Sequence, residues 1–576
     1  MFNRAEARAW RRLSLSTALC AVFAAAPIVA FAATVPDAAL DQAAPGRVEQ
    51  QFQDQALSPK LSPSVQVRDL VLQQVPEGAE KIRFNLNSLT IEGVSVYTHD
   101  ELQAVYADKL GENISLTELY AISTALTNKY RNDGYILTQV IVPPQTIDGG
   151  NARLKVVEGY IDSVSVEGTD DPNALALIER YAAKLQNTTA LNATQLERYL
   201  LLISDLPGVE ARSVLGPSQT QAGAAYLRII VERDPYDAFI SLDNFGSRYL
   251  GPVQASAAGS LNSYFGNNEK ITGQVVVAPH NHELGYASVG YEQPVGNLGT
   301  VVKLTGSHTA TEPGYTLDEF NVRGRSQYMA VTLEHPFLRS RSRNAYGYVK
   351  FDWRNVESRN DLEPTRRDNI RALRAGGRYE FMDALFGAAV NSMSVELAQG
   401  VDILGSSAKG DANLTRPAGD PKFTKISGEA QRLQRITSDL NLLLSAHGQL
   451  SANPLLASEE FGVGGVGYGR GFDPSEIIGD DGVAGKVELQ WNQPYPWELV
   501  DDYQLYSFFD IGRIWNQDAT TSSLKSDTAS STGLGVRADF TEDIKAGLAL
   551  AWPLNRDVET QGDRGKRLYF NVSRDF

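Results

Sequence analysis

The chain has 576 residues, 42% of them hydrophobic and 9% aromatic, with a formal net charge of −16 and a single cysteine, Cys20. Such acidity argues against a nucleic-acid partner, because phosphate backbones are met by basic surfaces. Six histidines, one cysteine and the absence of Gly-x-Ser-x-Gly or His-Glu-x-x-His patterns leave nothing from which to assemble a catalytic or zinc site, so no enzyme activity, metal or cofactor is expected.

The first 32 residues have the three parts of a secretory leader. Arg4, Arg8, Arg11 and Arg12 form a basic region, Leu13 to Ala26 an apolar one, and Ala30-Phe-Ala32 a cleavage pattern. The mature chain is expected to begin near Ala33; removing four Arg and one Glu takes its charge from −16 to −19. Cys20 lies within the leader behind Leu19, too large for a lipoprotein site, so no thiol, disulfide or lipid anchor is expected afterwards. Beyond the leader no apolar run approaches the roughly 20 residues that cross a bilayer as a helix.

Residues 33–80 are rich in Ala, Gln and Pro. One piece, Arg47-Val-Glu-Gln-Gln-Phe-Gln-Asp-Gln, sets Val48 and Phe52 on one helical face, but it is too short to be stable alone and its composition suits a linker almost equally.

From Lys81 to Pro235 the chain repeats at an offset of about 75 residues. Ser88-Leu-Thr-Ile-Glu-Gly93 returns as Ser163-Val-Ser-Val-Glu-Gly168, and Val156-Val-Glu158 as Ile230-Val-Glu232. Each copy reads strand, helix, helix, strand, strand. Thr98-x-x-Glu101 and Ser115-x-x-Glu118 are capping boxes in the first copy; Asp171-Pro172 and Asn192-x-x-Gln195 stand in their places in the second. Two small α/β modules follow, 81–160 and 161–235, with sheet edges open to an extended peptide.

Residues 236–576 read as sixteen strands near 236–246, 253–265, 269–279, 283–294, 298–310, 324–337, 343–355, 367–382, 386–400, 421–433, 437–450, 483–493, 503–512, 531–540, 543–552 and 566–576. An even count suits a closed antiparallel transmembrane barrel, and alternation assigns the faces. Ile271, Gly273, Val275 and Val277 are expected outward against Thr272 and Gln274, as are Leu440, Leu442, Leu444 and Ala446 against Asn441, Ser445 and His447. Joins after even strands are mostly tight, such as 266–268 and 541–542; joins after odd strands include long ones near 309–323, 401–420, 450–482 and 513–530. Short turns on one side and long loops on the other are the pattern of an outer-membrane barrel.

Within the longest loop, Phe461-Gly-Val-Gly-Gly-Val-Gly-Tyr-Gly-Arg470-Gly-Phe472 sets one arginine among glycines, and Phe508-Phe-Asp510-Ile-Gly512 sets a carboxylate to face the interior. An arginine in a confined lumen wants a bidentate carboxylate.

These features resemble the outer-membrane transporters of two-partner secretion, the haemolysin secretion/activation proteins. Tyr130-Arg-Asn-Asp-Gly134-Tyr135, Val142-Pro143-Pro-Gln145, Gly149-Gly150 and Val156-Val-Glu158-Gly159 resemble the first polypeptide-transport-associated (POTRA) domain. Asp205-Leu-Pro-Gly208 resembles a turn of the second, and Asp243-Asn-Phe-Gly246 the opening barrel strand. The family's sixth extracellular loop reads Val-Arg-Gly-Tyr or Val-Arg-Gly-Phe and folds into the barrel. Here it is Gly469-Arg470-Gly471-Phe472, with glycine in place of valine, which puts the local backbone stiffness in question.

The resemblance implies a mainly β fold, a 16-stranded barrel behind two α/β POTRA domains, in the outer membrane with the N-terminal domains in the periplasm. It implies contact between Arg470 and Asp510, beside Gly512, and export of a large partner protein (adhesin, haemolysin or toxin) bearing an N-terminal secretion domain. Outer-membrane lipids surround such a barrel, periplasmic chaperones are further candidate partners, and residues 47–55 match the place of a pore-plugging helix. The alternative is an insertase that assembles other barrels; its bacterial form has a longer periplasmic arm, and two modules favour secretion. A passive channel is a third reading.

Overall fold

In a computed structural model, the described residues are 37–53, 65–67 and 74–576, apart from 170–171, 187, 189, 219, 222, 281, 363, 494–499, 519–524 and 541–542. The expected leader, 1–32, lies outside the described residues. The chain opens with helices α1 (Asp37–Gln42) and α2 (Pro45–Gln53) and a short strand β1 (Val65–Val67).

The first α/β unit runs through β2 (Arg83–Asn85), β3 (Ser88–Glu92), α3 (His99–Gln103), β4 (Asn113–Ser115), α4 (Leu116–Asn132), β5 (Gln139–Ile141) and β6 (Asn151–Val157). Both capping boxes form. The Ser115 N–H donates to the Glu118 carboxylate at 2.7 Å, and the Glu118 N–H returns to the Ser115 hydroxyl at 3.2 Å. Leu119, Ile122, Leu126 and Tyr130, spaced by three and four along α4, are buried, which gives the helix one apolar stripe. The sheet has the order β3-β6-β5, and β2 pairs with β4 in a separate two-stranded piece that the repeat does not indicate.

The second unit comprises β7 (Tyr160–Glu167), α5 (Pro172–Ala182), α6 (Ala193–Ser204), β8 (Val209–Pro217) and β9 (Ala224–Arg233). Asn192 caps α6 by accepting the Thr194 N–H at 2.9 Å, while Gln195 turns away to donate to the Lys184 carbonyl at 3.2 Å, so this is a single cap and not a box. Both edges of this sheet were expected to be open. Instead its order is β1-β8-β9-β7, so β1 already lies on β8.

Hydrogen bonds close the joints. The Ala193 N–H donates to the Gly134 carbonyl (2.7 Å) and the Leu191 N–H to the Gly159 carbonyl (3.1 Å), locking one unit to the other. At the far end Arg339 grips Asp205 through two N–H groups, each at 2.7 Å, and Arg198 reaches the Pro336 carbonyl at 2.8 Å.

The barrel strands are β10 (Tyr236–Asp243), β11 (Gln254–Asn262), β12 (Lys270–Val277), β13 (Leu284–Val295), β14 (Thr300–Thr311), β15 (Arg323–Arg339), β16 (Arg343–Arg359) and β17 (Arg366–Asp383). They continue with β18 (Ala389–Gly400), β19 (Thr424–Arg435) and β20 (Leu440–Ser451). Two short loop strands, β21 (Phe461–Val463) and β22 (Ile477–Gly479), interrupt them before β23 (Asp481–Gln493), β24 (Asp502–Trp515), β25 (Ser526–Phe540), β26 (Ile544–Pro553) and β27 (Arg567–Asp575). The sixteen strands close antiparallel, β27 returning to β10. That seam has five paired residues against eight at each flanking junction. Alternation partitions the faces: Val275, Val277, Phe509 and Ile511 are exposed outside, while Phe508, Asp510 and Gly512 are buried inside.

Replacing Ser115 by alanine is expected to cost about 1 kcal/mol at the start of α4, seen in the full chain as roughly fivefold faster hydrogen exchange of that helix. Backbone and side-chain hydrogen bonds from Ser115 hold the Glu118 carboxyl below its ordinary range. Because the folded value is the lower one, this contribution is present above the ordinary glutamate value of about 4.3 and is lost as pH falls through the folded value. Protection of α4 should therefore drop in acid, and a Glu118→Gln variant should show no such step.

Candidate functional site

The loop between β20 and β23 folds back into the barrel. β21 and β22 pair antiparallel, and Phe461, Val463, Phe472 and Ile477 join Ala484, Ile514, Ala529 and Val558 of the wall and a neighbouring loop in one buried apolar cluster. Gly512 makes this approach feasible, because a Cβ there would stand 2.6 Å from a Val463 methyl. Gly471 passes against Ser531 and Pro553, and Phe472 is fully buried.

That cluster delivers Arg470 to the barrel wall. Its Nε and Nη2 donate to the two oxygens of Asp510 at 2.9 and 2.8 Å, and its Nη1 to Glu488. The guanidinium also stacks 3.5 Å above the Phe508 ring centroid. Main-chain N–H groups of Arg470 and Gly469 add two further bonds to Asp510, at 3.0 and 3.3 Å. Glu488 keeps a second partner, Arg537, at 2.9 Å, which stacks over Tyr506 at 3.8 Å. Asp510 is 0% and Glu488 2% exposed. The two arginines and two carboxylates sum to zero charge, and the planar fork meets one carboxylate bidentately, the geometry that offsets desolvation.

Gly469 has φ +116° and donates its N–H to Asp510. A valine would be strained in that conformation, so glycine at this position suits the backbone that the loop adopts here. The arginine and Asp510 are legible in the sequence, and Phe508 stands there only as the start of the Asp510 motif; Glu488 and Arg537 are not named there. The signal exists, since Lys486, Glu488 and Gln490 alternate with Val487, Leu489 and Trp491 along β23.

A second insert fills the lumen. α2 carries the piece expected to be helical at 47–55 as far as Gln53, residues 54 and 55 lying outside the described residues, and Val48 and Phe52 lie on its buried face in a cluster with Tyr286, Tyr249 and Leu317; the Phe52 and Tyr286 rings are 5.1 Å apart. Arg47 pairs with Glu460 at 3.0 Å, Gln50 donates to the Ser458 carbonyl at 2.7 Å, and Glu49 accepts from Ser326 at 2.5 Å and faces Arg354 at 3.7 Å. The neighbouring Glu459 turns the other way, to Arg354 (3.2 Å), Arg374 (2.8 Å) and Lys425 (2.8 Å) on the wall. Adjacent carboxylates in the re-entrant loop thus hold the helix on one side and the barrel on the other.

The POTRA-like motif residues lie far from this lumen and hold their own unit together. Glu158 accepts from the Tyr130 hydroxyl at 3.1 Å and from the Ser95 and Val96 N–H groups at 2.8 and 3.2 Å. Tyr130 and Tyr135 meet edge to face at 6.0 Å; burial and the Glu158 charge push the Tyr130 phenol upward. Gln145 exchanges two 2.7 Å bonds with the Arg153 backbone, just after the half-buried Pro143. Gly134 and Gly159 form the joint to the second unit. Among the described residues no cluster of three His, Cys, Asp or Glu could hold a metal.

The description "Haemolysin secretion/activation protein ShlB/FhaC/HecB" matches residues 226–538, and "POTRA domain, ShlB-type" matches 84–159. Over 554 residues the chain is 21% identical to the heme/hemopexin transporter protein HuxB of Haemophilus influenzae (strain 86-028NP), covering 93% of this chain and 96% of that protein. The structure of CdiB from Escherichia coli, 19% identical, superposes with a TM-score of 0.74 over 93% of this chain and 98% of that one. BamA from Haemophilus ducreyi lacking POTRA domains 1–3, 13% identical, gives a TM-score of 0.52 over 86% of this chain and 100% of that one. At such identities these superpositions establish the fold. The family match, reaching from the end of the second α/β unit to β25 across more than half of the sequence, shows that this chain belongs to the haemolysin secretion/activation protein ShlB/FhaC/HecB family.

Proposed function

We propose that this outer-membrane transporter recognises a large partner protein by an N-terminal secretion domain in the periplasm and exports it to the cell surface, the partner being an adhesin, haemolysin or toxin. The observation that carries the reading is the content of the lumen. Two inserts occupy it, helix α2 and the Arg470 loop, and both are fastened to the wall by side-chain ion pairs and apolar contacts. An insert held in this way is removable, as a gate must be, without breaking the ladders that keep the barrel closed.

In this reading residues 1–32 are the leader, 33–80 carry the plug and its linker, 81–160 and 161–235 are the POTRA domains, and 236–576 the barrel. The partner arrives unfolded and adds a strand to a POTRA edge, where main-chain pairing supplies affinity. It then threads the barrel. No ATP is present in that compartment, so direction comes from folding at the surface. Arg470 organises the pore and performs no chemistry; lipids of the outer membrane contact the exposed outer face, and periplasmic chaperones keep the partner extended. Barrel insertion is the second reading, favoured by the likeness to BamA and by the five-residue seam between β10 and β27. The plugged lumen favours export.

Arg470→Ala leaves Asp510 and Glu488 buried and short of a cation, a loss of about 3–5 kcal/mol for loop docking. Export of a coexpressed partner bearing such a secretion domain should fall by roughly an order of magnitude or more while the barrel still inserts, with Arg470→Lys intermediate because a point charge cannot hold Asp510 bidentately and reach Glu488 as well. Wild-type export by Arg470→Ala would sink the assigned role. Deleting residues 37–53 should raise planar-bilayer conductance severalfold; unchanged conductance would mean that α2 does not obstruct the pore.

A further inference from the structure

The outer face of the barrel carries a basic patch at one end of its longest neighbouring strands, β15, β16 and β17. At the opposite end of β15, Arg339 is bonded to Asp205 of the second α/β unit, so the patch lies at the rim remote from the periplasmic units. Residue parity turns Arg323 and Arg325 of β15, Arg359 of β16, and Arg367 and Arg371 of β17 outward, away from the face on which Ser326, Arg354 and Arg374 are buried. Register brings them together. Arg323 stands opposite Arg359, and Glu357 is flanked by Arg325 on one strand and Arg367 on the other. Among the described strand residues, Arg513 of β24 is the other lysine or arginine turned outward in this half of the barrel.

These cations are poorly compensated. Arg367 meets Glu357 at 3.1 Å and Arg323 approaches Glu312 at 3.6 Å, both in exposed positions where an ion pair is worth little. Arg325 and Arg359 are exposed and make no ion pair among the described residues. Arg371 is only 3% exposed, yet its neighbours are neutral: it lies 4.8 Å over the Trp353 ring and donates to the carbonyls of Leu404, Arg354 and Ile370 and to the Asn355 side chain. Five arginines against Glu357 and Glu312 leave three positive charges in excess. Like charges directly opposite on a sheet face are destabilising, so Arg323 and Arg359 repel until an anion sits between them.

Toward the periplasm the same faces turn apolar, with Met329, Val331, Val349 and Leu373 exposed as part of the lipid-facing band. Arg325 stands four residue steps beyond Met329, about 13 Å along the strand, at the height of headgroups and above the acyl chains. Gln327, Asn355 and Asn369 form the row between, adding amide donors. A guanidinium meets phosphate with paired N–H groups, and Arg325 and Arg367 stand two strand spacings apart, about 10 Å, wide enough for two phosphates on one headgroup. We propose that this patch binds a phosphorylated glycolipid of the outer leaflet, its phosphates held among the arginines of β15–β17 and its acyl chains laid along the apolar surface below. The continuity of cations with that surface selects a lipid over an acidic protein segment. The inference concerns the outer wall alone and stands whatever the pore transports.

The test titrates the full-length protein in detergent micelles with purified diphosphorylated lipid A and with the same lipid after enzymatic removal of its phosphates. The phosphorylated form should bind at least tenfold more tightly; equal binding overturns the proposal, and this comparison needs no variant. Phosphatidylglycerol, with one phosphate, should also bind at least tenfold more weakly than lipid A, and parity between them would sink the glycolipid assignment. Millimolar inorganic phosphate should fail to displace the lipid, since it cannot use the apolar surface; full displacement would show a site for free anions and refute the proposal. Polyglutamate binding as tightly as lipid A would refute it in favour of an acidic protein segment. Arg325→Gln combined with Arg359→Gln removes the two cations without ion pairs and should cost at least tenfold in lipid A affinity, whereas Arg513→Gln on the far strand should leave it unchanged. No loss in the double variant, or an equal loss in Arg513→Gln, counts against the patch. No exported protein enters these measurements, so their failure leaves the export reading standing.

Discussion

A guanidinium confined in a barrel is tolerable only when its charge is matched at contact distance, and much of this molecule's interior follows from that. Arg470 is met by Asp510 and Glu488, and Arg537 neutralises what remains of Glu488. To bring them together a long loop must turn inward, which requires glycine where the loop crosses the wall at Gly512 and an unusual backbone at Gly469. The same loop then presents Glu459 and Glu460, and around them the plug helix and the wall cations are arranged. Pulling either insert from the lumen strands charges in a place where water screens them poorly.

The fold was more legible than the site. All sixteen barrel strands lie where alternation and turn spacing put them, because a membrane barrel faces two very different solvents and side chains must sort by parity. Capping boxes at Thr98 and Ser115 were readable because both partners of each lie within four residues. The Arg470–Asp510 contact was legible through the family resemblance. Glu488 and Arg537 were harder, since their pairing depends on which strands become neighbours around a cylinder, and one-strand parity shows only that Glu488 faces inward. The single cap at Asn192 looks like a box in sequence; Gln195 finds the Lys184 carbonyl instead, a tertiary partner that a four-residue window does not contain.

β1 illustrates the deeper limit. Val65-Gln66-Val67 has strand-like composition, but three residues in a Pro- and Gln-rich stretch carry no periodicity, and their partner lies almost 150 residues downstream at β8. The POTRA-like motif residues show the converse. They stand out in sequence, yet their polar groups are spent inside their own unit: the Tyr130 hydroxyl and the Ser95 N–H on Glu158, and the Gln145 amide on the Arg153 backbone.

The clamp formed by Arg198, Arg339 and Asp205 fixes how the periplasmic arm is attached. With α6 and the Asp205 that follows it tied to the turns beneath the barrel by three hydrogen bonds, the second unit is fastened directly to the pore. The joint to the first unit combines main-chain hydrogen bonds at Gly134 and Gly159 with the Asn192 amide donating to the Asp133 carbonyl at 3.3 Å and Leu137 buried in the second unit's core. Force on the first unit therefore reaches the barrel only in series, through the contacts at residues 133–159 and 191–193 and then through the arginine clamp.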